Sequence, residues 1–372
     1  MNICVFVGAR PNFIKVAPVL RVVAAQREQG ADIDCQLVFA GCPDDATLED
    51  SLFDDLQISR PDVCLGVESD NLNELTGQVM AAFETYLQNH PTDAVIVVDD
   101  LASTMAAAIV TKKQGLLLAH LSAGTRSFDI TMPKEINRLV IDGLSDLLFT
   151  AGMSNNSIAN REGAEQSKVY MVGNLLIDNL RYNRTRLRKP QLFDDLKLSS
   201  RQYIVFTLNR KKLIGDTENL GSMLSAMLRA AGDMPVVAPL RDNAAKVVKS
   251  LADSGKLDRC DNLHIVEPLN FLEFSYLMAN ARGVVTDSGN VAEEATFNSV
   301  PCITLNSYTE HIETVKVGTN VLVGEDAERL CEAVDDMVGG NWKPSAIPDR
   351  WDGRTAERIV QTICNVLSQS HK

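Results

Sequence analysis

The chain is poor in aromatic residues and has no excess of basic charge. Phe, Trp and Tyr make up 5% of its 372 residues, and the formal net charge is −13. Proteins that bind nucleic acid through its phosphates usually carry a basic surface, and single-strand binders stack bases on aromatic rings. We therefore expect small-molecule partners and no nucleic acid. An anionic ligand would need a local positively charged pocket.

Metal-ligand and cofactor motifs are also missing. The eight cysteines include no CxxC pair, and the five histidines include no HxxxH pair. Several cysteines, among them Cys4, Cys302 and Cys364, lie in apolar runs, which favours reduced core thiols over a disulfide or zinc framework. No GxGxxG pattern follows the first predicted strand, so NAD is not indicated. We expect neither a metal nor a cofactor.

No apolar run approaches the length of a membrane span. The N-terminal stretch MNICVFVGARPNF enters a predicted strand directly, without the basic flank and small-residue cleavage site of a signal peptide. These features predict a cytoplasmic protein without a membrane span.

Short apolar runs alternate with amphipathic segments of helical length along the whole chain. The runs are uniformly apolar, as in strands covered on both faces, and strand–helix repetition predicts parallel, doubly wound sheets. The predicted strands are Ile3–Val7, Gln36–Ala40, Ala94–Val98, Leu116–Leu121, Leu147–Thr150, Val169–Val172, Tyr203–Thr207, Val236–Pro239, Leu263–Val266, Gly283–Val285 and Cys302–Leu305.

The length and a basic stretch at 181–190 predict two domains. We expect an α/β protein with an N-terminal Rossmann-like domain at 1–170 and a C-terminal one at 171–355. A C-terminal helix at 356–372 would pack back on the first domain. Ligands of such sheets bind at the carboxyl ends of the strands, so we expect the site in a cleft between the domains.

Polar residues collect after the predicted strands of the first domain. The segment GARPNFIKVAP places Arg10 and Lys15 at a helix start, which suits an anion or is simply a solvated helix start. Asp99 and Asp100 follow the third strand, and we expect one to cap the next helix and the other to face the cleft. Glu135 and Arg138 lie three residues apart on one helical face and could simply pair.

Two similar segments follow strands of the second domain. FTLNRKKLIGD offers Asn209 and Arg210 with two lysines, which suit a diphosphate or a surface loop. In TDSGNVAEEA, Ser288 and the amides near Gly289 could bind phosphate, and a glutamate on the helix could accept from ribose hydroxyls. The alternative is a capped helix with an acidic first turn.

With these motifs assembled, the chain resembles the non-hydrolysing UDP-N-acetylglucosamine 2-epimerase family over nearly its full length. The matching segments, in order, are GARPNFIKVAP, HLSAG-R, MPKEINR, SDLLFTA, VGNLLIDNL, EPLNF, TDSGN..EEA, VPCITL, NVLVG and DGRTAERI. The resemblance implies a glycosyltransferase-B-type architecture, a homodimer, and a UDP-sugar bound between the domains.

The resemblance also implies roles for individual residues. Ser288 and Gly289 would hold the diphosphate, and Glu294 the ribose. Arg10 and Arg210 would add positive charge from opposite sides, and Lys15 belongs to the same substrate-binding motif.

The family inverts C2 by eliminating UDP to a glycal and adding it back on the other face, which needs a base and an acid. This sequence departs from the family at those positions. The resemblance leaves Asp100 and Glu135 as catalytic candidates. Several acid–base positions of the family motifs are changed: Ser122 replaces the glutamate of HVEAG, Lys134 replaces the first acid of PEEINR, and Asn209 and Lys212 replace the histidine and glutamate of HRxEN. Around the GDT aspartate, Asp99 and Leu101 replace its two neighbours. Elsewhere, Gly41-Cys42-Pro43 stands in place of GQH, Arg241-Asp242 in place of the HP pair, and Asn290 in place of the second glycine of DSGG.

Three functions remain open from these substitutions. The chain could be a UDP-hexosamine isomerase with altered residues, in which Lys134 becomes a base if burial lowers its pKa. It could be a catalytically inactive nucleotide-sugar-binding protein, or the partner of an active paralogue. It could be a glycosyltransferase, although its motifs match the epimerases better. We expect epimerisation to be impaired.

Overall fold

The computed structural model describes residues 1–46, 48–162, 168–255, 257 and 259–370. Its contacts divide the chain into two compact units. The N-terminal unit comprises Met1–Tyr182 and the segment from Asp349 onward, and the C-terminal unit comprises Asn183–Pro348. Among the described helices, none combines the length and the hydropathy needed to cross a bilayer.

The described part of the N-terminal unit contains one sheet of seven parallel strands. The strands are β1 (Asn2–Val7), β2 (Asp34–Phe39), β3 (Val63–Cys64), β4 (Ala94–Val98), β5 (Leu117–Leu121), β6 (Leu147–Thr150) and β7 (Val169–Met171). Their order is β3-β2-β1-β4-β5-β6-β7. All five residues of β4 are buried, because helices cover both faces of a parallel sheet.

Helices surround this sheet and begin at the expected places after the strands. They are α1 (Arg10–Glu28), α2 (Asp50–Leu56), α3 (Leu72–Asn89), α4 (Ala102–Lys113), α5 (Pro133–Leu144), α6 (Met153–Arg161) and α7 (Leu175–Tyr182). Phe6 of β1 meets Phe83 of α3 edge to face, with ring centroids 5.0 Å apart. Such fully buried aromatic contacts fix the helix layer on the sheet.

The C-terminal unit repeats the architecture. Its strands are β8 (Ile204–Phe206), β9 (Val236–Pro239), β10 (Leu263–Val266), β11 (Gly283–Thr286), β12 (Cys302–Thr304) and β13 (Asn320–Leu322), in the order β10-β9-β8-β11-β12-β13. Its helices are α8 (Leu192–Asp195), α9 (Lys211–Gly215), α10 (Thr217–Ala231), α11 (Asp242–Asp253), α12 (Phe271–Ala279), α13 (Gly289–Phe297), α14 (Ile312–Lys316) and α15 (Ala327–Gly339). The last helix, α16 (Thr355–Ser370), belongs to the N-terminal unit.

The predicted fold class, two Rossmann-like doubly wound domains, is confirmed, and each predicted strand is present with small shifts at its ends. Two edge strands, β3 and β13, were not predicted. They have two and three residues, too few for a hydrophobic run to separate them from a loop.

The first compact unit extends to Tyr182 instead of ending at residue 170. The reason is α7, which is tied to the first unit. Arg21 of α1 donates to Asn179 Oδ1 at 2.7 Å and stacks on the Tyr182 ring. The buried Asp178 carboxylate accepts from the N-terminal amides of α16, Thr355 N at 3.1 Å and Ala356 N at 2.8 Å. The helix predicted at 356–372 corresponds to α16, and residues 371 and 372 lie outside the described residues.

Candidate functional site

The strand order reverses at one place in each sheet. In the N-terminal unit it reverses between β1 and β4, and in the C-terminal unit between β8 and β11. Loops that leave such a pair turn in opposite directions and open a crevice at the carboxyl ends, where ligands of doubly wound sheets bind. Two sets of the predicted polar residues therefore lie at the switch points, and we call them the N-terminal and C-terminal half-sites. The first set follows β1 and β4 (Arg10, Lys15, Asp99 and Asp100), and the second follows β8 and β11 (Asn209, Arg210, Ser288 and Gly289).

In the N-terminal unit, the loop after β1 is fastened to the loop after β4. The buried Asn12 accepts from Gly8 N at 3.0 Å and Ala9 N at 3.2 Å. Its Nδ2 donates to Asp99 Oδ2 at 3.0 Å. Lys15 Nζ lies 2.6 Å from the other carboxylate oxygen, Oδ1. Lys15 thus lies at the switch point as predicted, with its charge matched by Asp99. Arg10 begins α1 beside this loop.

The prediction that Asp99 or Asp100 caps α4 is wrong. Leu101 occupies the cap position, and its side chain makes no cap hydrogen bond. Both carboxylates form ion pairs instead. Asp99 pairs with Lys15, and Asp100 pairs with Arg138, whose Nη2 lies 2.6 Å away. A charged partner binds a carboxylate more strongly than a neutral amide does.

The expected pairing of Glu135 with Arg138 is present, at 3.1 Å between Oε2 and Nη1. The same carboxylate, which is almost fully buried, accepts from Ser127 N, Ser127 Oγ and Phe128 N at 2.9 to 3.1 Å. Burial alone would raise the pKa of Glu135, but these hydrogen bonds outweigh it and lower the pKa. Glu135 is consequently a poor proton acceptor.

Lys134 does not satisfy the condition for acting as a base. Its side chain is 59% exposed and its Nζ lies 3.6 Å from Asp100 Oδ1. The burial on which that hypothesis depends is therefore not present at Lys134. Ser122, at the position of a family glutamate, has a left-handed backbone with φ +67° and offers only a hydroxyl.

A buried carboxylate that the sequence did not single out organises this half-site. Asp142 of α5 lies 2.6 Å from His120 Nδ1 and 2.7 Å from Arg126 Nη2. It also accepts from Gly124 N at 3.0 Å. The sequence signal that could have pointed to Asp142 is its position four residues after Arg138 on α5, because residues at this spacing lie on the same face of a helix. Asp142 joins the HLSAG segment to the helix that carries Glu135.

In the C-terminal unit, Asp287 fastens the loop after β11 to the loop after β8. Its Oδ2 accepts from Asn209 N at 2.7 Å and Arg210 N at 2.6 Å. Arg210 Nη2 pairs with Glu325 at 2.7 Å, and its Nη1 donates to Asn306. Arg210 thus lies at the switch point, with its charge matched by Glu325.

The turn at Ser288 and Gly289 is not the ordinary capped helix of the alternative interpretation. Ser288 is at the cap position of α13, but no side-chain cap bond forms, and the first turn contains no acidic residue. An anion is favoured at such a turn, because the first amides of a helix have no partner within the helix.

The two adjacent glutamates of α13 have opposite environments. Glu293 Oε1 lies 2.7 Å from His311 Nδ1, a partner that the sequence did not reveal. Glu294 is 5% exposed, and its Oε1 finds no hydrogen-bond partner among the described residues. Burial raises the pKa of Glu294 to about 7, although the Ser275 hydroxyl opposes this. Glu294 can therefore accept a hydrogen bond that the described protein does not supply.

We predict that Gly289→Ala disrupts the C-terminal half-site. A Cβ on Gly289 would overlap the His311 ring, so the ring must leave Glu293 or the turn must shift. Overpacking of this kind costs about 1–3 kcal/mol. The control is Gly77→Ala on α3, where a Cβ meets open space and helix propensity gains about 1 kcal/mol. Urea unfolding should show opposite signs for the two variants; a stabilised Gly289→Ala would contradict the packing.

Comparisons with known proteins agree with this geometry. The family model described as UDP-N-acetylglucosamine 2-epimerase matches residues 25–364. The UDP-N-acetylglucosamine 2-epimerase of Methanocaldococcus jannaschii is 32% identical, with 98% of this chain and 99% of that protein covered. The crystal structure of the M. jannaschii UDP-GlcNAc 2-epimerase in complex with UDP-GlcNAc and UDP is similar at 31% identity, with a TM-score of 0.83 and coverage of 98% and 100%.

A lipopolysaccharide outer core galactosyltransferase is similar in fold alone, at 13% identity and a TM-score of 0.55 over 96% of this chain and 95% of that chain. The shared fold is thus of the glycosyltransferase-B type. The family model spans most of the chain, and the curated relative matches it almost end to end. The chain belongs to the UDP-N-acetylglucosamine 2-epimerase family.

Proposed function

We propose that the chain binds a UDP-hexosamine and that its ability to epimerise C2 is impaired. The observation that carries this proposal is the contrast between two buried glutamates. Glu294 has an oxygen without a partner among the described residues, ready for a ligand hydroxyl. Glu135 is held as an anion by four donors, and so cannot readily take a proton.

The binding residues follow from the half-sites. The Ser288–Gly289 turn at the N-terminus of α13 offers amides to the diphosphate. Glu294 accepts from the ribose hydroxyls, and Arg210 and Arg10 add positive charge. Lys15 completes the set, and its charge is shared with Asp99. The M. jannaschii relative, whose crystal structure contains UDP-GlcNAc and UDP, supports this choice of ligand class.

The impaired proton transfer follows from the contacts of the two remaining catalytic candidates, Asp100 and Glu135. Asp100 is engaged by Arg138, whose Nε and Nη2 lie 2.8 Å and 2.6 Å from Oδ2, so a substrate proton would compete with a charge-assisted contact that is already in place. Glu135 is similarly engaged by Arg138. Asn209 and Ser122 have no group that titrates near neutral pH. C2 deprotonation therefore lacks a suitable base among the matched positions.

The same proposal covers the cellular location, the assembly and the alternative activity. The chain would act in the cytoplasm as a homodimer or as the partner of an active paralogue. A glycosyltransferase activity is the weaker alternative, because the galactosyltransferase is similar in fold alone, whereas the family model is that of the epimerase.

Deuterium exchange separates binding from catalysis. Purified protein is incubated with UDP-N-acetylglucosamine in deuterated water, and the C2–H signal is followed by NMR alongside a calorimetric UDP titration. We expect UDP binding without C2 exchange. Exchange would overturn the impaired chemistry, and the absence of UDP binding by folded protein would overturn the ligand assignment.

A triple variant, Ser122→Glu, Lys134→Glu and Asn209→His, tests the cause of the impairment. We expect it to gain C2–H exchange while its UDP affinity stays within a fewfold of the parent. A variant that binds UDP but shows no exchange would mean that the missing acid–base groups are not the main defect. The matched control changes three exposed residues outside these positions: Ser51→Glu, Lys249→Glu and Asn365→His.

A further inference from the structure

The ion pair between Lys15 and Asp99 lies at the switch point of the N-terminal sheet. Lys15 Nζ and Asp99 Oδ1 are 2.6 Å apart, and their side chains are only 16% and 17% exposed. Asn12 Nδ2 donates to the second carboxylate oxygen at 3.0 Å. A ligand anion that approaches Lys15 must therefore compete with a carboxylate of the protein that is already in place.

Asp99 is held in a backbone conformation that favours glycine. Its φ is +61°, in the left-handed region that costs free energy for residues with a Cβ, although Asp and Asn tolerate it better than most. The resemblance places a glycine here. Three contacts compensate for the strain: those of the two carboxylate oxygens, and the carbonyl oxygen, which lies 3.0 Å from His120 Nε2.

The neighbouring acid cannot take over this role. Asp100 is engaged by Arg138 at 2.6 Å and lies 3.6 Å from Lys134, on the side of the loop that faces α5. The charges at this strand edge are therefore divided into two sets. Asp99 pairs with Lys15, and Asp100 lies beside the cations of α5.

We propose that Asp99 is a specificity-determining residue that neutralises Lys15 and so weakens binding of any ligand that places an anionic group there. The inference rests on the proposed UDP-hexosamine site and refines it. Two anionic groups are available in nucleotide sugars, the diphosphate and, in hexuronates, a sugar carboxylate. The protein accordingly prefers a nucleotide sugar whose group beside Lys15 is uncharged.

The test removes the charge and keeps the shape. Asp99→Asn retains the size of the side chain and tolerates the left-handed backbone. The amide of the new asparagine can still hydrogen-bond to Asn12, so the connection between the loops after β1 and β4 would be largely preserved. The charge effect would appear only in ligand affinity and only while Lys15 is present, which a double-mutant cycle with Lys15→Met measures.

Isothermal titration is performed with UDP and with UDP-N-acetylglucosaminuronate on the parent, both single variants and the double variant. We expect Asp99→Asn to bind at least one of these ligands about tenfold more tightly, which corresponds to one neutralised charge, and we expect no gain in the Lys15→Met background. A gain with UDP identifies the diphosphate as the disfavoured group. A gain with the hexuronate alone identifies the sugar carboxylate.

Other outcomes overturn the inference. If the parent binds UDP and Asp99→Asn binds neither ligand more tightly than the parent does, Asp99 does not set specificity, while the proposed function stands. A gain that persists with Lys15→Met has another cause and also overturns it. Absence of binding by every folded variant overturns both proposals. Asp99→Gly, which the backbone favours, replaces Asp99→Asn if that variant fails to fold, and Asp34→Asn, from an exposed pair with Arg27, is the matched control.

Discussion

Asp142→Asn is expected to lower the melting temperature by about 5 °C. The substitution preserves volume but removes the carboxylate that lies 2.6 Å from His120 Nδ1 and 2.7 Å from Arg126 Nη2, while Arg126 keeps its second ion pair, with Glu162. The loss of buried hydrogen bonds to a charged group costs about 1.5–3 kcal/mol, and 1 kcal/mol is about 2–4 °C in a unit of this size. Differential scanning calorimetry at fixed scan rate measures the shift.

The control for this prediction is Asp50→Asn, which removes the same charge from an exposed pair. Asp50 lies 2.7 Å from Arg60, and its side chain is 84% exposed, so solvent screening leaves a loss of at most about 1 kcal/mol. Equal shifts in the two variants would show that Asp142 does not organise the half-site.

The Asp142 effect also has a defined pH dependence. Burial alone would raise the pKa of Asp142, but His120, Arg126 and the Gly124 amide together hold it below the ordinary value. A lowered carboxyl pKa stabilises the fold above the unfolded pKa of about 4, and that stability is lost as pH falls through the lower folded pKa. The difference between parent and Asp142→Asn should therefore be full at pH 7 and shrink below about pH 4.

Glu294→Gln is expected to stabilise the protein while weakening UDP binding. Burial raises the pKa of Glu294 from 4.5 to about 7, so the folded state keeps a proton that the unfolded state releases. The parent accordingly loses stability as pH rises from about 4.5 to about 7. The loss reaches about 3 kcal/mol above pH 7. Glutamine has no charge to desolvate and escapes this loss.

Urea unfolding at pH 4.5 and pH 8 measures the effect. The variant should match the parent at pH 4.5 and exceed it by about 3 kcal/mol at pH 8. UDP affinity at pH 8, where the parent carboxylate is charged, should fall about tenfold, because a hydrogen bond to a charged acceptor is worth about 1.5–3 kcal/mol. Glu332→Gln on the exposed face of α15 should change neither quantity. A Glu294→Gln variant that is no more stable at pH 8 would contradict the destabilising burial of the Glu294 carboxylate.

Strands and their order of appearance could be predicted because they depend on local patterns. The apolar run Ala94–Val98 is buried along its whole length, as a strand covered on both faces must be. The same local information places Arg10, Lys15, Arg210, Ser288 and Gly289 after strands. In a parallel sheet, residues after strands share one edge, so their location at that edge followed from the sequence. Which strands flank the switch points depends on the strand order, which only the structure gave.

Side-chain partners could not be predicted in the same way. Asp99 was expected to cap a helix or face a ligand, yet it pairs with Lys15, 84 residues away in the chain. Glu293 and Glu294 are adjacent and chemically identical, but one meets His311 and the other is buried without a partner for Oε1 among the described residues.

The sequence by itself determined the two doubly wound sheets, the family, and the strand ends that carry the polar residues. Hydrophobic runs and turn residues act over a few positions, and those signals survive when single side chains change. Only the tertiary structure decided which acids are paired with cations and which are buried. Protonation and pairing depend on burial and on charges from distant segments, and these become neighbours only when the chain has folded.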